Sequence, residues 1–147
     1  NFRTPELYFG YKFAQNRNQL GSQEGFQPGK IVTYLDQNNI ELHKFYLTGE
    51  WKNHKDSMEL VSETGTIKLL YNAKEVNIVT DKNAELEIFL DDHPLPSEYS
   101  GKDTTDDGII VSEAGLYNII NSENSSSHQM EIKITGKGFQ IFTFTFG

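Results

Sequence analysis

Between Thr66 and Asp92 apolar and polar residues alternate with a period of two. Ile67, Leu69 and Tyr71 alternate with Lys68, Leu70 and Asn72; Val76 and Ile78 with Asn77 and Val79; Leu86, Ile88 and Leu90 with Glu85, Glu87 and Asp91. This period, with β-branched and aromatic residues enriched, predicts three strands, each with one buried and one wet face. Asn72-Ala73-Lys74 and Asp81-Lys82-Asn83 supply the expected turns, because Asn and Asp tolerate left-handed backbone. A one-residue slip would turn every inward side chain to water, so the inner face is specified. It comprises Ile67, Leu69, Val76, Ile78, Leu86, Ile88 and Leu90, joined from the C-terminal half by Met130, Ile132, Ile134, Phe142 and Phe144.

The same alternation extends along the chain. Residues 7–13 set Leu7, Phe9, Tyr11 and Phe13 on one side, after a proline suited to an edge strand. Residues 15–29 are polar and glycine-rich and read as a loop. Strands are expected at 31–35, 40–51 and 58–61, and after the central meander at 109–111, 116–120, 130–134 and 139–146. Pro94 and Pro96 exclude a central strand between the meander and the acidic loop that holds Asp103, Asp106 and Asp107. No segment shows helical spacing over three turns. About ten short strands argue for an all-β fold, a jelly-roll-like antiparallel β-sandwich, since an open sheet of that width curls or splits.

Composition then narrows the function. The chain has 147 residues and a net charge of -8, which repels a phosphate backbone, so nucleic acid is not an expected partner. No apolar run is long enough to cross a bilayer, so direct membrane insertion is not expected. With 0 cysteines the chain cannot itself perform thiol chemistry. It starts at Asn1-Phe2-Arg3 without an initiator Met, which suggests one domain, residues 1–147, cut from the C-terminal end of a longer protein.

Four local patterns stand in a fixed order: Arg3-Thr4-Pro5-Glu6-x-Tyr8-x-Gly10-Tyr11, Leu47-x-Gly49-x-Trp51, Gly101-x-Asp103 followed by Leu116-Tyr117, and the terminal Phe144-Thr145-Phe146-Gly147. Together they resemble the C-terminal domain that follows the thioredoxin-like domain in DipZ-type thiol:disulfide proteins and related redoxin fusions. The resemblance implies a sandwich similar to carbohydrate-binding modules, carried outside the cytoplasm beside a redox domain. The family's Cys-x-x-Cys chemistry does not transfer, because that motif belongs to the preceding domain.

The resemblance makes the chain a non-catalytic accessory domain of an extracytoplasmic thioredoxin-like protein, with its own N-terminal thioredoxin-like domain as partner. Two kinds of surface are candidates. A glycan offers an apolar C–H face and many hydroxyls, so a site needs an aromatic ring and planar polar groups. Trp51 or Tyr99 with Asp103 and Asn53 are the expected members; the bland alternative is that Trp51, like Tyr46 beside it, is packing. A structural docking or dimerisation module would instead use Arg3, Glu6, Tyr8 and Tyr11. A glycoside hydrolase-like enzyme on the same sandwich is the third reading, and no catalytic pair stands out for it. The acidic loop follows no calcium-loop pattern, and His43, His54, His93 and His128 follow no zinc pattern, so neither metal nor cofactor is expected. Asn124-Ser125-Ser126 fits the N-glycosylation pattern.

Overall fold

The computed structural model describes residues 3–147. Their strands are β1 (Leu7–Tyr8), β2 (Ile31–Tyr34), β3 (Lys44–Asn53), β4 (Met58–Leu60), β5 (Thr64–Asp81), β6 (Ala84–Leu90), β7 (His93–Pro94), β8 (Gly108–Val111), β9 (Gly115–Thr135) and β10 (Gln140–Phe146). A single 3-10 turn covers Ser97–Tyr99. The fold is all-β, and the strands pair antiparallel in the order β1-β10-β4-β3-β5-β9-β6-β7, with β2 on β3 and β8 on β6.

The long ribbon β5–β9 organises the rest. Its first half, around Ile67↔Ile132, is flanked by β3 and β6; its second half, around Ile78↔Tyr117, is flanked by β10. Side chains of the two halves meet: the ring of Phe9 lies 4.0 Å from that of Phe45 on β3 and 5.3 Å from that of Phe144 on β10. One contiguous cluster of buried apolar residues fills the space between them. The arrangement is compatible with a two-layer sandwich.

Two expected breaks do not occur. Asn72-Ala73-Lys74 bends β5 without reversing it, because the register with β9 shifts between Ala73 and Glu75 as in a bulge. The N–H groups of Lys74 and Glu75 donate to the Gly147 carbonyl at 2.9 and 3.2 Å, so the bend leaves no orphaned donors there. The strands expected at 116–120 and 130–134 are likewise one strand, since polar Ser126, Ser127 and His128 stay paired with Ala73, Asn72 and Tyr71. By contrast, the expected turn at Asp81-Lys82-Asn83 is present, with Lys82 at φ 73.

The strand expected over residues 7–13 stops after Tyr8. Gly10 sits so close to the backbone of Asp56 that an added Cβ would lie 2.2 Å from its Cα, and the chain then coils, with the Ala14 N–H donating to the Gly10 carbonyl at 2.9 Å. Phe13, expected beside Leu7 and Phe9, is consequently 54% exposed. Of the twelve inner-face residues eleven are buried. Phe142 is the exception: the register shifts between Ile141 and Thr143, which turns Ile141 and Phe144 inward and leaves Phe142 half-buried.

Candidate functional site

The expected glycan site does not assemble. Trp51 is fully buried, its Nε1–H donating to the Thr48 carbonyl at 2.8 Å, so no sugar reaches its face. Tyr46 is buried as well, and its hydroxyl accepts the Glu41 N–H. Asn53 is also buried, with its side chain committed: Oδ1 accepts the Gln27 N–H at 2.9 Å and Nδ2 donates to the Tyr34 hydroxyl at 3.2 Å. For Trp51 and Tyr46 the packing alternative is therefore the one that holds, whereas Asn53 was expected in a site and is buried instead. Tyr99 is more exposed than Trp51 and Tyr46, yet it is half-buried on the 3-10 turn with its ring 5.2 Å from that of His128. Asp103 is spent on structure, its Oδ2 accepting the Asn118 N–H at 2.7 Å. It borders a separate cleft of about 540 Å³ with Glu85, Asp106, Asp107, Ile110 and Tyr117. Among the described residues no group of three His, Cys, Asp or Glu side chains is placed to hold a metal ion.

The residues expected for docking do not share one surface: Arg3 and Glu6 border a hollow with Thr145 and Phe146, and Tyr11 lies elsewhere. Arg3 and Glu6 are exposed, and the Tyr8 hydroxyl donates to Glu6. That hydrogen bond, more than burial or the Glu6 charge, raises the pKa of Tyr8. The guanidinium of Arg17 covers the Tyr8 ring at 4.6 Å, and Arg17 is tied to the Phe13 carbonyl through Nε at 2.9 Å.

Tyr11 points to a surface that the sequence did not single out. The groove beside it measures about 540 Å³ and lies between the coil at residues 11–20 and the loop at residues 25–28. Tyr11, Leu20, Phe26 and Pro28 give it apolar walls; Gln15, Asn16 and Asn18 bring amides, and Lys12 is the one charged side chain among the described residues that line it. A second hollow of about 510 Å³ shares Tyr11 and Lys12 and continues past Phe13 to His54, Lys55 and Asp56.

Buried polar residues fix both walls. Gln19 holds the first, its Nε2 donating to the Glu6 carbonyl and its Oε1 accepting the Tyr8 N–H, both at 2.9 Å. Asn53 and Tyr34 hold the second: the Tyr34 hydroxyl donates to the Gly25 carbonyl at 2.7 Å while Asn53 receives Gln27. Burial keeps the Tyr34 hydroxyl neutral by raising its pKa, despite the opposing bond from Asn53. Asn53 therefore stands under the wall as a support, and what it supports is the aromatic and amide rim. The polar composition of 15–29 was the available signal, but composition marks a loop without showing that two loops face each other.

A family model described as "Thioredoxin like C-terminal domain" matches residues 4–147. The chain is 27% identical over 144 residues to "Protein DipZ" of Mycobacterium bovis, and equally to "Protein DipZ" of Mycobacterium tuberculosis. These alignments cover 98% of this chain and 18% of each relative, so the chain spans about a fifth of the length of the curated relatives it matches.

Proposed function

The chain belongs to the family of thioredoxin-like C-terminal domains, and from that membership we propose that it is an accessory domain of an extracytoplasmic thiol:disulfide interchange protein, contributing ligand binding and no thiol chemistry. The ligand class that fits best is a neutral glycan, bound in the groove between Tyr11 and Phe26. One observation carries this reading: in a chain of net charge -8, the groove is lined by aromatic and amide groups with a single charge. Rings suit the C–H face of a sugar and amides its hydroxyls. Affinity is modest, since each hydroxyl exchanges water for protein at a net gain of about 1 kcal/mol. Titration calorimetry with neutral oligosaccharides tests it: Tyr11→Ala and Phe26→Ala weaken binding, Tyr99→Ala leaves it unchanged, and added salt has little effect. No heat with any glycan at millimolar concentration removes the reading.

A second reading is favoured by Phe13, an aromatic ring 54% exposed next to the Tyr8–Arg17 stack. Here the same end of the domain docks on the adjacent redox domain or on a second copy. The separately produced redox domain, titrated into isotopically labelled protein, would then shift resonances of residues 8–17, and Phe13→Glu would abolish the shifts.

A further inference from the structure

Midway along the β5–β9 ribbon, three side chains from two elements form a continuous relay. The hairpin turn between β6 and β7 contributes Asp91, at φ 51. Its N–H donates to the Gln129 carbonyl at 2.8 Å, and its Oδ1 accepts the Gln129 N–H at 2.9 Å, so the turn is clamped to β9. The other oxygen, Oδ2, faces His128 Nδ1 at 2.6 Å, and His128 Nε2 faces Ser126 Oγ at 2.8 Å. Burial alone would raise the pKa of Asp91, but bonds from His128 and Gln129 and the nearby His93 outweigh it and hold the carboxyl ionised.

An ionised carboxylate only accepts, so Nδ1 carries a proton; in the neutral imidazole Nε2 is then bare and accepts the Ser126 hydroxyl. That is the tautomer a general base needs. Tyr71 and Tyr99 flank the imidazole with ring centroids at 6.2 and 5.2 Å, and only 14% of the His128 side chain is exposed, so the ring is held in place. Ser126 itself is half-buried, at the edge of the polar stretch where β9 bulges, and is reached from solvent.

We propose that Ser126, His128 and Asp91 form a nucleophilic triad that accepts acyl groups from small activated esters. Ser126 Oγ bonds to the carbonyl carbon as its proton passes to His128 Nε2. The bond from that carbon to the leaving oxygen then breaks, and the proton on Nε2 goes to the leaving group. Water repeats the sequence on the acyl-serine, with Ser126 Oγ as the leaving oxygen. Geometry and roles identify such a triad, independent of chain order. Backbone N–H donors aimed at the tetrahedral oxyanion are worth roughly 10²–10³ each in rate and act on acylation and deacylation alike.

The test is labelling of the 147-residue chain with a fluorophosphonate probe, which phosphonylates an activated serine with loss of fluoride, followed by peptide mass spectrometry. Label is expected on Ser126 and not on exposed Ser97, and is expected to disappear in urea. Removing a general base costs about 10²–10⁴ in rate, so His128→Gln should slow labelling by at least the lower figure. Asp91→Asn should slow it less, and Ser126→Ala should abolish it. Thermal unfolding of each variant separates lost chemistry from lost fold. An unlabelled wild type at millimolar probe, or equal labelling of Ser97 and Ser126, overturns the proposal. So does a folded His128→Gln variant that labels at the wild-type rate.

Discussion

Replacing Ile88 with Ala measures whether the inner face of the sheet has been placed correctly. Ile88 has no solvent exposure and lies opposite Ile132 on β9, between Leu86 and Leu90 on the same face of β6. The substitution removes three carbons, which at about 0.8 kcal/mol each is a transfer loss of about 2.4 kcal/mol. Close packing on all sides prevents full collapse, so a cavity penalty adds to this, within the roughly 2–5 kcal/mol seen for such truncations. A total of about 3–4 kcal/mol is expected. With a urea m-value of about 2 kcal/mol/M, the unfolding midpoint should fall by about 1.5–2 M at unchanged slope. The assay is equilibrium urea unfolding followed by circular dichroism and by Trp51 fluorescence, whose coincidence checks two-state behaviour. A loss below about 0.5 kcal/mol would refute the reasoning, since no buried isoleucine with this packing is so cheap to truncate.

The bulge in β10 makes a second comparison: Ile141→Ala should destabilise more than Phe142→Ala despite removing fewer atoms, because Ile141 is buried and Phe142 only partly so. Equal losses in the same urea assay would mean that the register does not shift there. The isolated chain should show no turbidity above the dithiothreitol blank in an insulin-reduction assay, because with 0 cysteines it has no thiolate to attack a disulfide. Asp91 has a pKa below its ordinary value when folded, so its contribution is present above the unfolded pKa of about 3.9 and is lost as pH falls through the folded value. Asp91→Asn should thus lower the urea midpoint at pH 7 and have a vanishing effect near pH 2, the difference being small because the side chain is 52% exposed.

Alternation was a sound guide to which face each residue takes and a poor guide to where strands end. From Ile67 to Ile78 the pattern slips by one at Lys74-Glu75, which reads as a turn between two strands; a bulge produces the same slip while the ladder continues. The two are told apart by the groups that satisfy the extra residues' N–H, here the carbonyl of Gly147, more than seventy positions away in the chain. The polar run from Asn121 to Gln129 failed for the same reason: backbone pairing with β5 at Asn121 and again from Ser126 to Gln129, which leaves no trace in side-chain polarity, carries the strand across the bulged residues 122–125. Side-chain class also misplaced the binding residues. Asn53 is polar yet buried on β3 as the strut of a loop, while Trp51 takes the packing role that was the alternative to a sugar platform. The relay of Asp91, His128 and Ser126 was invisible because its members come from a turn and a strand whose pairing depends on that same ladder.

The four patterns that carry the family resemblance can be followed to what they hold. Thr4 exchanges hydrogen bonds with Asn72 at 2.8 and 2.9 Å, which fastens the N-terminal segment across β5. Gly101 touches the chain at Asn118, where an added Cβ would come within 2.3 Å of the carbonyl oxygen, and Asp103 then caps the Asn118 N–H. Trp51 fills the core under Gly65, and Gly147 closes the β5 bulge. Each is a fastening of one segment to another, and none of these leaves a polar group facing a ligand. Tyr8 and Tyr11 differ, since they sit within the first pattern yet stand at the surface, Tyr11 on the groove. The patterns thus account for how the segments of this chain are fastened together, and relatives that carry them would share those fastenings. Differences in what they bind should lie in the residues that the patterns leave free, Gln15 to Asn18 and Phe26 to Pro28. Exchanging those two loops between this chain and a relative should transfer ligand preference while leaving the urea midpoint nearly unchanged; a midpoint that collapses would mean the loops are part of the scaffold.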